Sequence, residues 1–335
     1  MKRKLNLMSL ILSAVAVVCF ISSPAFSAQT FKLAHCVNPD PNGPYQATSL
    51  KFKELVEKGT SGRVNVKIFP QRQLGDDRAI LEGVRDGIIE VGLVTVGPIG
   101  AFDPRVDLIE LPFLFKSKEH IKATLEGAIG KDLLNMSKES GLLGLAYSID
   151  GISNITNSKR PLKTADDFKG LDMRVIESPI RIAVMKALGA NPIPIAYGEL
   201  YTALKTGVVY GQSNANWVIS ARSLYEVQKY ISITQHIVSP TILLTNSNAL
   251  AKLSKKDQEI LRSAAMEAGR HGFNVYYKSE EEHLNKAIEH GMIVTRDPDL
   301  DSMMKATASV YEKVYKKHPQ WRPIVKRIRD LGKQY

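Results

Sequence analysis

An arginine stands inside an apolar, strand-like stretch, "GLDMRVIESP" (170–179). The apolar residues of this stretch alternate onto one face, as a strand requires, and Arg174 points to the other face. Burying a guanidinium group without a partner is costly, because the group is always charged. Two partners are open at this point: Asp172, two residues back on the same face, or an anionic ligand beyond the end of the strand.

A second polar segment, "GQSNANW" (211–217), follows the apolar run "TGVVY". Ligands of open α/β sheets bind beyond the carboxyl ends of the strands, where such segments lie. Asn214 offers an amide there, and Tyr197 and Trp217 offer aromatic rings. With an arginine they could hold a carboxylate, since the guanidinium group binds both oxygens and the rings wall the site. The alternative is that Ser213 and Asn214 only cap the next helix.

Signatures of catalysis and of metal binding are missing from the sequence. It contains no H-E-x-x-H, G-x-S-x-G, Walker A or G-x-G-x-x-G motif. The histidines show no spacing typical of metal ligands, and His283 and His290, beside three glutamates, indicate a solvated helix face. Cys36 follows His35, but adjacent residues of a strand point to opposite faces, which predicts a buried thiol. We expect neither a cofactor nor a metal.

Residues 1–28 have the features of a secretory signal peptide. Three basic residues at 2–4 precede an apolar run over 5–21, and small residues suited to a signal peptidase follow. Cys19 lies inside the apolar run behind two valines, which argues against a lipid anchor. No later stretch approaches the ~18 consecutive apolar residues of a membrane span. The sequence therefore predicts an exported protein, in the periplasm if the host is Gram-negative.

The composition narrows the class of protein. Of the 335 residues, about 307 remain after the signal segment, which is enough for two domains of ordinary size. The net charge of +11 falls to about +8 without the three signal cations, and the basic residues are spread along the chain. Basic residues that are spread out in this way, without interleaved aromatic residues, argue against nucleic acid as the binding partner and favour anionic small molecules. One cysteine, Cys36, remains, so no intramolecular disulfide is expected.

Strand-like and helix-like segments alternate along the chain, and a polar break falls at Asp150 and Gly151. This alternation predicts parallel sheets with helices on both faces. The predicted strands cover 30–35, 63–69, 88–96, 142–149, 171–175, 192–195, 229–234 and 241–246. The predicted helices cover 44–59, a segment from 76 to 87, 117–137, 178–188 and 198–206.

The longest predicted helix follows Ser254, which with Asp257 forms a capping box. No proline interrupts residues 255–290, and a helix of that length would extend about 54 Å. Glycine costs a helix interior ~1 kcal/mol, so a break near Gly269 or Gly272 would instead divide the segment into two helices. The other interpretation is one helix that bridges two lobes.

Several long motifs, in order, are similar to those of one known family. They are "FPQRQLGDDRAILEGVRDGIIEVGLV", "ELPFLF", "ITNSKRPLKTADDFKGLDMRVIESP", "ALGANPIPIAYGELYTALKTGVVYGQ" and "SLYEVQKYI". The chain resembles the solute-binding subunits of tripartite ATP-independent periplasmic (TRAP) transporters, of the dicarboxylate-binding-protein type. The resemblance implies an α/β, two-lobed periplasmic-binding-protein-like fold of class II type, with a hinged cleft and a long helix spanning both lobes. It also implies that the protein binds a solute without chemistry and delivers it to a membrane permease.

The resemblance also implies site residues. The family's selectivity arginine, which binds the ligand carboxylate, falls on Arg174, so the ligand is its expected partner. The family's ligand-binding asparagine falls on Asn214, although its motif "GQENP" reads "GQSNA" here, with Ser213 in place of glutamate. The aromatic residue that packs on the ligand falls on Tyr197, and Thr95 occupies a position where some members place a polar contact.

One departure from the family pattern concerns the ligand. Many members carry a second arginine in "GFRNLTNS", and this chain has Ser153 there, in "GISNITNS". The missing guanidinium group puts a dicarboxylate in doubt and favours a small acid with one carboxylate, or a sulfonate. Trp217 could supply an additional wall of the site.

The expected domain division follows from the break at 150 and the long helix. Residues 29–150 with 240–275 form lobe I, residues 151–239 with 276–310 form lobe II, and 311–335 form a C-terminal helical segment. We expect a monomer whose partners are a small anionic organic solute and a TRAP-type permease. A continuous sheet would count against this division.

Two alternative functions remain open from the sequence. The protein could be a ligand-loaded periplasmic sensor that docks onto a membrane receptor. It could also be an exported enzyme on the same scaffold, with Asp150, Asp172 or Glu177 as the general base near Arg174.

Overall fold

The computed structural model describes residues 28–136 and 140–335. The signal segment predicted over 1–28 lies, apart from Ala28, outside the described residues. Among the helices that are described, none has the length and apolar character needed to cross a membrane.

The described strands form one hydrogen-bonded sheet of nine strands, in the order β2-β1-β3-β8-β4-β7-β5-β6, with β9 paired to β8. The strands are β1 Gln29–Ala34, β2 Val64–Phe69, β3 Val91–Thr95, β4 Leu143–Asn157, β5 Asp172–Val175, β6 Asn191–Pro194, β7 Gly211–Asn214, β8 Tyr230–Thr245 and β9 Ile293–Thr295. The predicted strands 229–234 and 241–246 are therefore one strand of 16 residues.

The prediction of purely parallel pairing was wrong, since the sheet is mixed. The pairs β1/β2, β1/β3, β5/β6, β5/β7 and β8/β9 are parallel, and β3/β8, β4/β7 and β4/β8 are antiparallel. The apolar patterns of β4 and β8 are interrupted by polar residues such as Ser153 and Ser239, which made each strand look shorter. These hydroxyls are buried and hydrogen-bonded inside the protein, so the polar residues do not end the strands.

The two long strands pass through both predicted domain boundaries. Ile149 pairs with Pro240 and Gly151 pairs with Ser239, so the boundaries at 150 and 239 lie opposite each other. The register of this pair shifts between Ile149 and Gly151, which marks an irregularity at that point. The sheet is thus continuous in its hydrogen bonding, which counts against a division into two separate sheets, and the lobe boundaries stay a prediction.

Twelve α-helices are described. They are α1 Pro44–Gly59, α2 Asp77–Arg85, α3 Val96–Ile99, α4 Lys118–Glu126, α5 Ala128–Met136, α6 Pro179–Ala187, α7 Leu200–Lys205, α8 Asn216–Ala221, α9 Ser247–Ala251, α10 Lys255–Glu289, α11 Leu300–Lys317 and α12 Trp321–Leu331. The predicted helix 117–137 is two helices, because Gly127 is extended between α4 and α5 (ψ −169°).

The segment after Ser254 is a single helix, α10, of 35 residues. The hydroxyl of Ser254 accepts from the amide of Asp257 at 3.1 Å, as the capping pattern predicts. Gly269 and Gly272 do not break the helix. Gly269 lets it approach the sheet closely, since a Cβ at that position would lie 2.0 Å from the carbonyl oxygen of Tyr147. Leu261 on α10 belongs to the large hydrophobic core and Leu284 to a smaller second core, so α10 joins both.

Candidate ligand-binding site

Arg174 lies in β5 and is almost completely buried, with 2 % of its surface exposed. Its Nε donates to the carbonyl oxygen of Ile195 at 2.9 Å. Its Nη2 is buried and has no hydrogen-bond partner among the described residues. Asp172 is not its partner, since that carboxylate accepts instead from the side chain of Asn191 at 3.0 Å. An anionic ligand would supply the hydrogen-bond partner that this buried, charged donor lacks.

The charges around Arg174 explain why the burial is tolerated. Burial, together with the positive charge of Arg181, lowers the pKa of Arg174 to about 10, so the group stays protonated at neutral pH. The negative charges of Asp77 and Asp150, and the hydroxyl of Tyr197, act in the opposite direction. Arg174 therefore lies in a buried cluster of charges of both signs.

Two carboxyl groups of that cluster titrate near neutrality. Burial raises the pKa of Asp77, the first residue of α2, to about 7, although a hydrogen bond with the thiol of Cys36 opposes the shift. Burial also raises the pKa of Asp150 to about 6, against the attraction of Arg181. Cys36 is buried as predicted, and its hydrogen bond with Asp77 places it at the edge of the cluster.

Thr95 and Ser153, both predicted site residues, are joined by a chain of polar contacts. Thr95 ends β3, and its Oγ1 lies 3.2 Å from the Oγ of Ser239 in β8. The guanidinium group of Arg181 donates through Nη2 to Ser239 Oγ at 2.7 Å and through Nη1 to Ser153 Oγ at 3.4 Å. A second arginine thus reaches Ser153 from α6, although the sequence has none at that position.

Arg181 and its partner Glu110 are residues that sequence reasoning missed. Glu110 ends a short 3-10 helix, Pro104–Glu110, and its Oε1 accepts from Nε and Nη2 of Arg181 at 2.9 and 2.7 Å. Its Oε2 accepts from the hydroxyl of Ser178 at 2.8 Å. Arg181 is flanked by Ile180 and Ile182 at the start of α6, which is the same signal, a cation among apolar residues, that singled out Arg174.

Asn214 lies at the end of β7, beside Asn154 of β4. Its amide donates to the side chain of Gln212, and the hydroxyl of Ser213 lies 3.1 Å from Nε2 of His236. Helix α8 has Ala215 at its N-cap, without a side-chain hydrogen bond. The alternative that Ser213 and Asn214 cap this helix was therefore wrong.

His236 is an uncharged member of the buried polar network around β8. Burial lowers its pKa to about 3, and the positive charge of Arg181 acts in the same direction. The ring also lies 2.8 Å from the hydroxyl of Thr234, through Nδ1. At neutral pH this imidazole therefore contributes hydrogen bonds and no charge to the network.

Trp217 in α8 forms a buried aromatic wall. Its Nε1 donates to the main-chain carbonyl of Asp150, and its ring lies 6.0 Å from that of Tyr45. Because Tyr45 belongs to α1 and Trp217 to the second half of the chain, this contact joins the two halves beside the charge cluster.

Tyr197 begins a short 3-10 helix, Tyr197–Glu199, and lines a cavity of about 220 Å³. The cavity is also lined by Ile195, whose carbonyl binds Arg174, and by Asp77 from the first half of the chain. Arg78 and Glu177 form an ion pair of 3.8 Å at its rim. Of the predicted site residues, Tyr197 lines this cavity, Arg174 contacts its wall at Ile195, and Thr95 and Ser153 are linked through Ser239 and Arg181. Asn214 lies in β7, which pairs with β5, and Trp217 lies in α8; no hydrogen bond within the described part of the chain links either side chain to Arg174.

Comparisons with known proteins bear on this arrangement. The sequence pattern of a family described as "Bacterial extracellular solute-binding protein, family 7" matches residues 33–318. The 2,3-diketo-L-gulonate-binding periplasmic protein YiaO of Escherichia coli is 30 % identical over 318 residues, which covers 95 % of this chain and 96 % of that protein.

Solved structures with the same fold carry bound acids. A TRAP periplasmic solute-binding protein from a Polaromonas species, bound to D-erythronate, is 33 % identical, with a TM-score of 0.86 over 90 % of this chain and 98 % of that one. A TRAP periplasmic solute-binding protein from Haemophilus influenzae, bound to L-gulonate, is 30 % identical, with a TM-score of 0.86 over 90 % of this chain and 99 % of that one.

Proposed function

The chain belongs to the bacterial extracellular solute-binding proteins of family 7, and from that premise we propose that it captures a small hydroxylated monocarboxylate and delivers it to a TRAP-type membrane permease. The ligand lies in the cleft between the two predicted lobes, with its carboxylate on Arg174. Tyr197, Thr95, Ser153, Asn214 and Trp217 surround it.

One observation carries this proposal: the buried Nη2 of Arg174 has no partner among the described residues. A guanidinium group that is fully desolvated and incompletely paired is unfavourable in the empty protein. A carboxylate would complete its hydrogen bonds and compensate its charge at the same time. A sulfonate would satisfy the same group and is tested below.

The polar groups nearby suit a ligand that carries hydroxyls. Buried hydroxyls at Thr95, Ser153 and Ser239 and the amide of Asn214 can donate to or accept from alcohol oxygens. The Escherichia coli relative is named for binding 2,3-diketo-L-gulonate, and the two solved structures described above contain D-erythronate and L-gulonate. Each of these compounds has one carboxylate and several further oxygens.

The remaining parts of the proposal concern export, assembly and chemistry. We propose that residues 1–28 direct the chain to the periplasm and are removed, and that the mature protein acts as a monomer. The bound acid is released unchanged, since the family to which the chain belongs binds solutes.

The test is a thermal-shift screen of the mature chain against a panel of small hydroxy acids that includes D-erythronate, L-gulonate and the sulfonate isethionate, followed by calorimetry. A ligand at 100 times its dissociation constant stabilises a protein by ~2.7 kcal/mol, which a melting curve resolves readily. Recovery of the unaltered acid after incubation distinguishes binding from turnover. The proposal fails if neither carboxylate, nor any other hydroxy acid in the screen, stabilises the protein.

A further inference from the structure

The buried ion pair of Glu110 and Arg181 has no role in the proposed contact between Arg174 and a carboxylate. Their side chains are 0 % and 5 % exposed, and Nη2 of Arg181 lies 2.7 Å from Oε1 of Glu110. A buried ion pair is costly to desolvate and often stabilises a fold no better than apolar residues would. A pair in this position therefore calls for an explanation other than stability.

The pair lies beside the candidate site and joins elements that are distant in sequence. Arg181 is 71 residues from Glu110, and it donates to Ser153 and to Ser239, whose hydroxyl also contacts that of Thr95. The charge of Arg181 also acts on Arg174, so the two guanidinium groups are close enough to influence each other electrostatically.

The charges of the cluster determine how many carboxylates it can accept. Arg181 is engaged by Glu110, whereas Nη2 of Arg174 is unpaired within the described part of the chain. A second carboxylate on the ligand would find the guanidinium group of Arg181 already bound. It would also meet the negative charges of Glu110 and Asp150, and such repulsion is a common source of specificity.

We propose that Glu110 is a selectivity-determining residue: by binding Arg181 it leaves Arg174 as the cation that receives the ligand, so the cleft accepts acids with one carboxylate and rejects dicarboxylates. This inference rests on the proposed function and extends it to the choice between two classes of acid. It differs from a simple lack of a second arginine, because Arg181 is present beside Ser153 and is neutralised.

The test compares acids that differ in one terminal group. L-gulonate and D-glucarate share their carbon chain, and so do D-erythronate and meso-tartrate; the second member of each pair has a carboxylate in place of a terminal CH₂OH. Calorimetry on the mature protein gives the ratio of affinities within each pair. The natural chain should prefer the monocarboxylate by at least about tenfold.

The decisive variant is Glu110→Gln, which keeps the shape of the side chain and removes its charge. With Arg181 released, the preference for the monocarboxylate should fall by at least about tenfold. The matched control is Glu126→Gln, which removes the acid of the ion pair with Arg270 (3.1 Å) elsewhere in the protein and should leave the ratio unchanged.

A second variant covers the case in which Glu110→Gln does not fold. Glu110→Asp keeps the charge and draws the carboxylate away from the two donors of Arg181, so the ratio should move in the same direction by a smaller factor. An unchanged ratio in both variants, or in the one that folds, overturns the role of Glu110. If the natural chain binds none of the four acids, nor any other acid in the screen, the proposed function itself has failed and this inference with it.

Discussion

Arg174 and Asp172 lie two residues apart in β5, yet they do not form an ion pair. Arg174 donates to the carbonyl oxygen of Ile195, and Asp172 accepts from Asn191 on the neighbouring strand. The cation is buried and the carboxylate is partly exposed, so each takes the partner that its own environment offers. The local charge pair that the sequence suggests is therefore replaced by two separate contacts.

The first prediction concerns Arg174. Arg174→Ala should weaken binding of the acid at least about a hundredfold, because a hydrogen bond to a charged group contributes ~1.5–3 kcal/mol and the carboxylate would be left buried without its partner. Arg174→Lys should restore only part of the affinity, since a point charge cannot bind both oxygens. Calorimetry with whichever acid stabilises the natural chain measures both.

The control for that prediction is Asp172→Ala, which should bind normally because Asp172 contacts Asn191. Equal impairment of Arg174→Ala and Asp172→Ala, or normal binding by Arg174→Ala, would show that Arg174 is structural.

The second prediction concerns closure of the cleft. Contacts such as Ser178 with Glu110 (2.8 Å) and Arg78 with Glu177 (3.8 Å) join the two predicted lobes beside the site. A ligand that contacts both lobes should therefore favour the closed form over an open, empty one. Small-angle scattering should show a smaller radius of gyration with saturating acid. The Arg174→Ala variant in the same acid serves as the control, and an identical radius for loaded and empty natural protein would count against a hinge.

The third prediction concerns pH. The pKa of Asp77 is about 7, and its ionisable neighbours are Cys36, Asp150, Asp76 and Arg174. A bound anion near Arg174 would raise this pKa further, so binding should be accompanied by proton uptake. Affinity should then fall as the pH rises from 7 to 8.5, by at most about tenfold per pH unit. Asp150 has a pKa of about 6, so its protonation state should change mainly below pH 7.

The measurement for this prediction is calorimetry in two buffers with different enthalpies of ionisation, which counts the protons taken up. Asp77→Asn mimics the protonated form, so its affinity should be nearly constant between pH 7 and 8.5. A natural chain whose affinity does not change over this window would contradict the coupling.

The fourth prediction concerns the packing of α10. Gly269→Ala should destabilise the protein, because the new Cβ would lie 2.0 Å from the carbonyl oxygen of Tyr147, a main-chain atom that cannot rotate away. Overpacking costs ~1–3 kcal/mol, and alanine regains ~1 kcal/mol of helix propensity, so a net loss of up to about 2 kcal/mol is expected. Urea unfolding measures this loss. Asn274→Ala, at an exposed position of the same helix, is the control and should be neutral or slightly stabilising.

The sequence alone determined the local elements of this protein. The strand predicted over 63–69 is β2, Val64–Phe69, and the capping residue Ser254 marks the start of α10. Apolar periodicity and end-capping are interactions between residues a few positions apart, so the order of residues is sufficient to reveal them. The burial of Arg174 and of Cys36 does not follow from alternation, since Met173 and Val175 beside Arg174 and His35 beside Cys36 are buried as well, and Cys36 lies beyond the end of β1.

The tertiary structure alone decided which partners the buried charges take. Glu110 and Arg181 are 71 residues apart, and nothing in either local pattern indicates that they meet. The full length of β4 and β8 could not be predicted for the same reason, because their buried hydroxyls form hydrogen bonds with groups distant in sequence, such as the guanidinium group of Arg181. Periodicity reports which side of an element is buried, whereas the identity of the group that it faces depends on how distant elements pack together. The contacts of this candidate site are therefore a property of the assembled sheet, built from residues whose burial the sequence could indicate but whose pairing it could not.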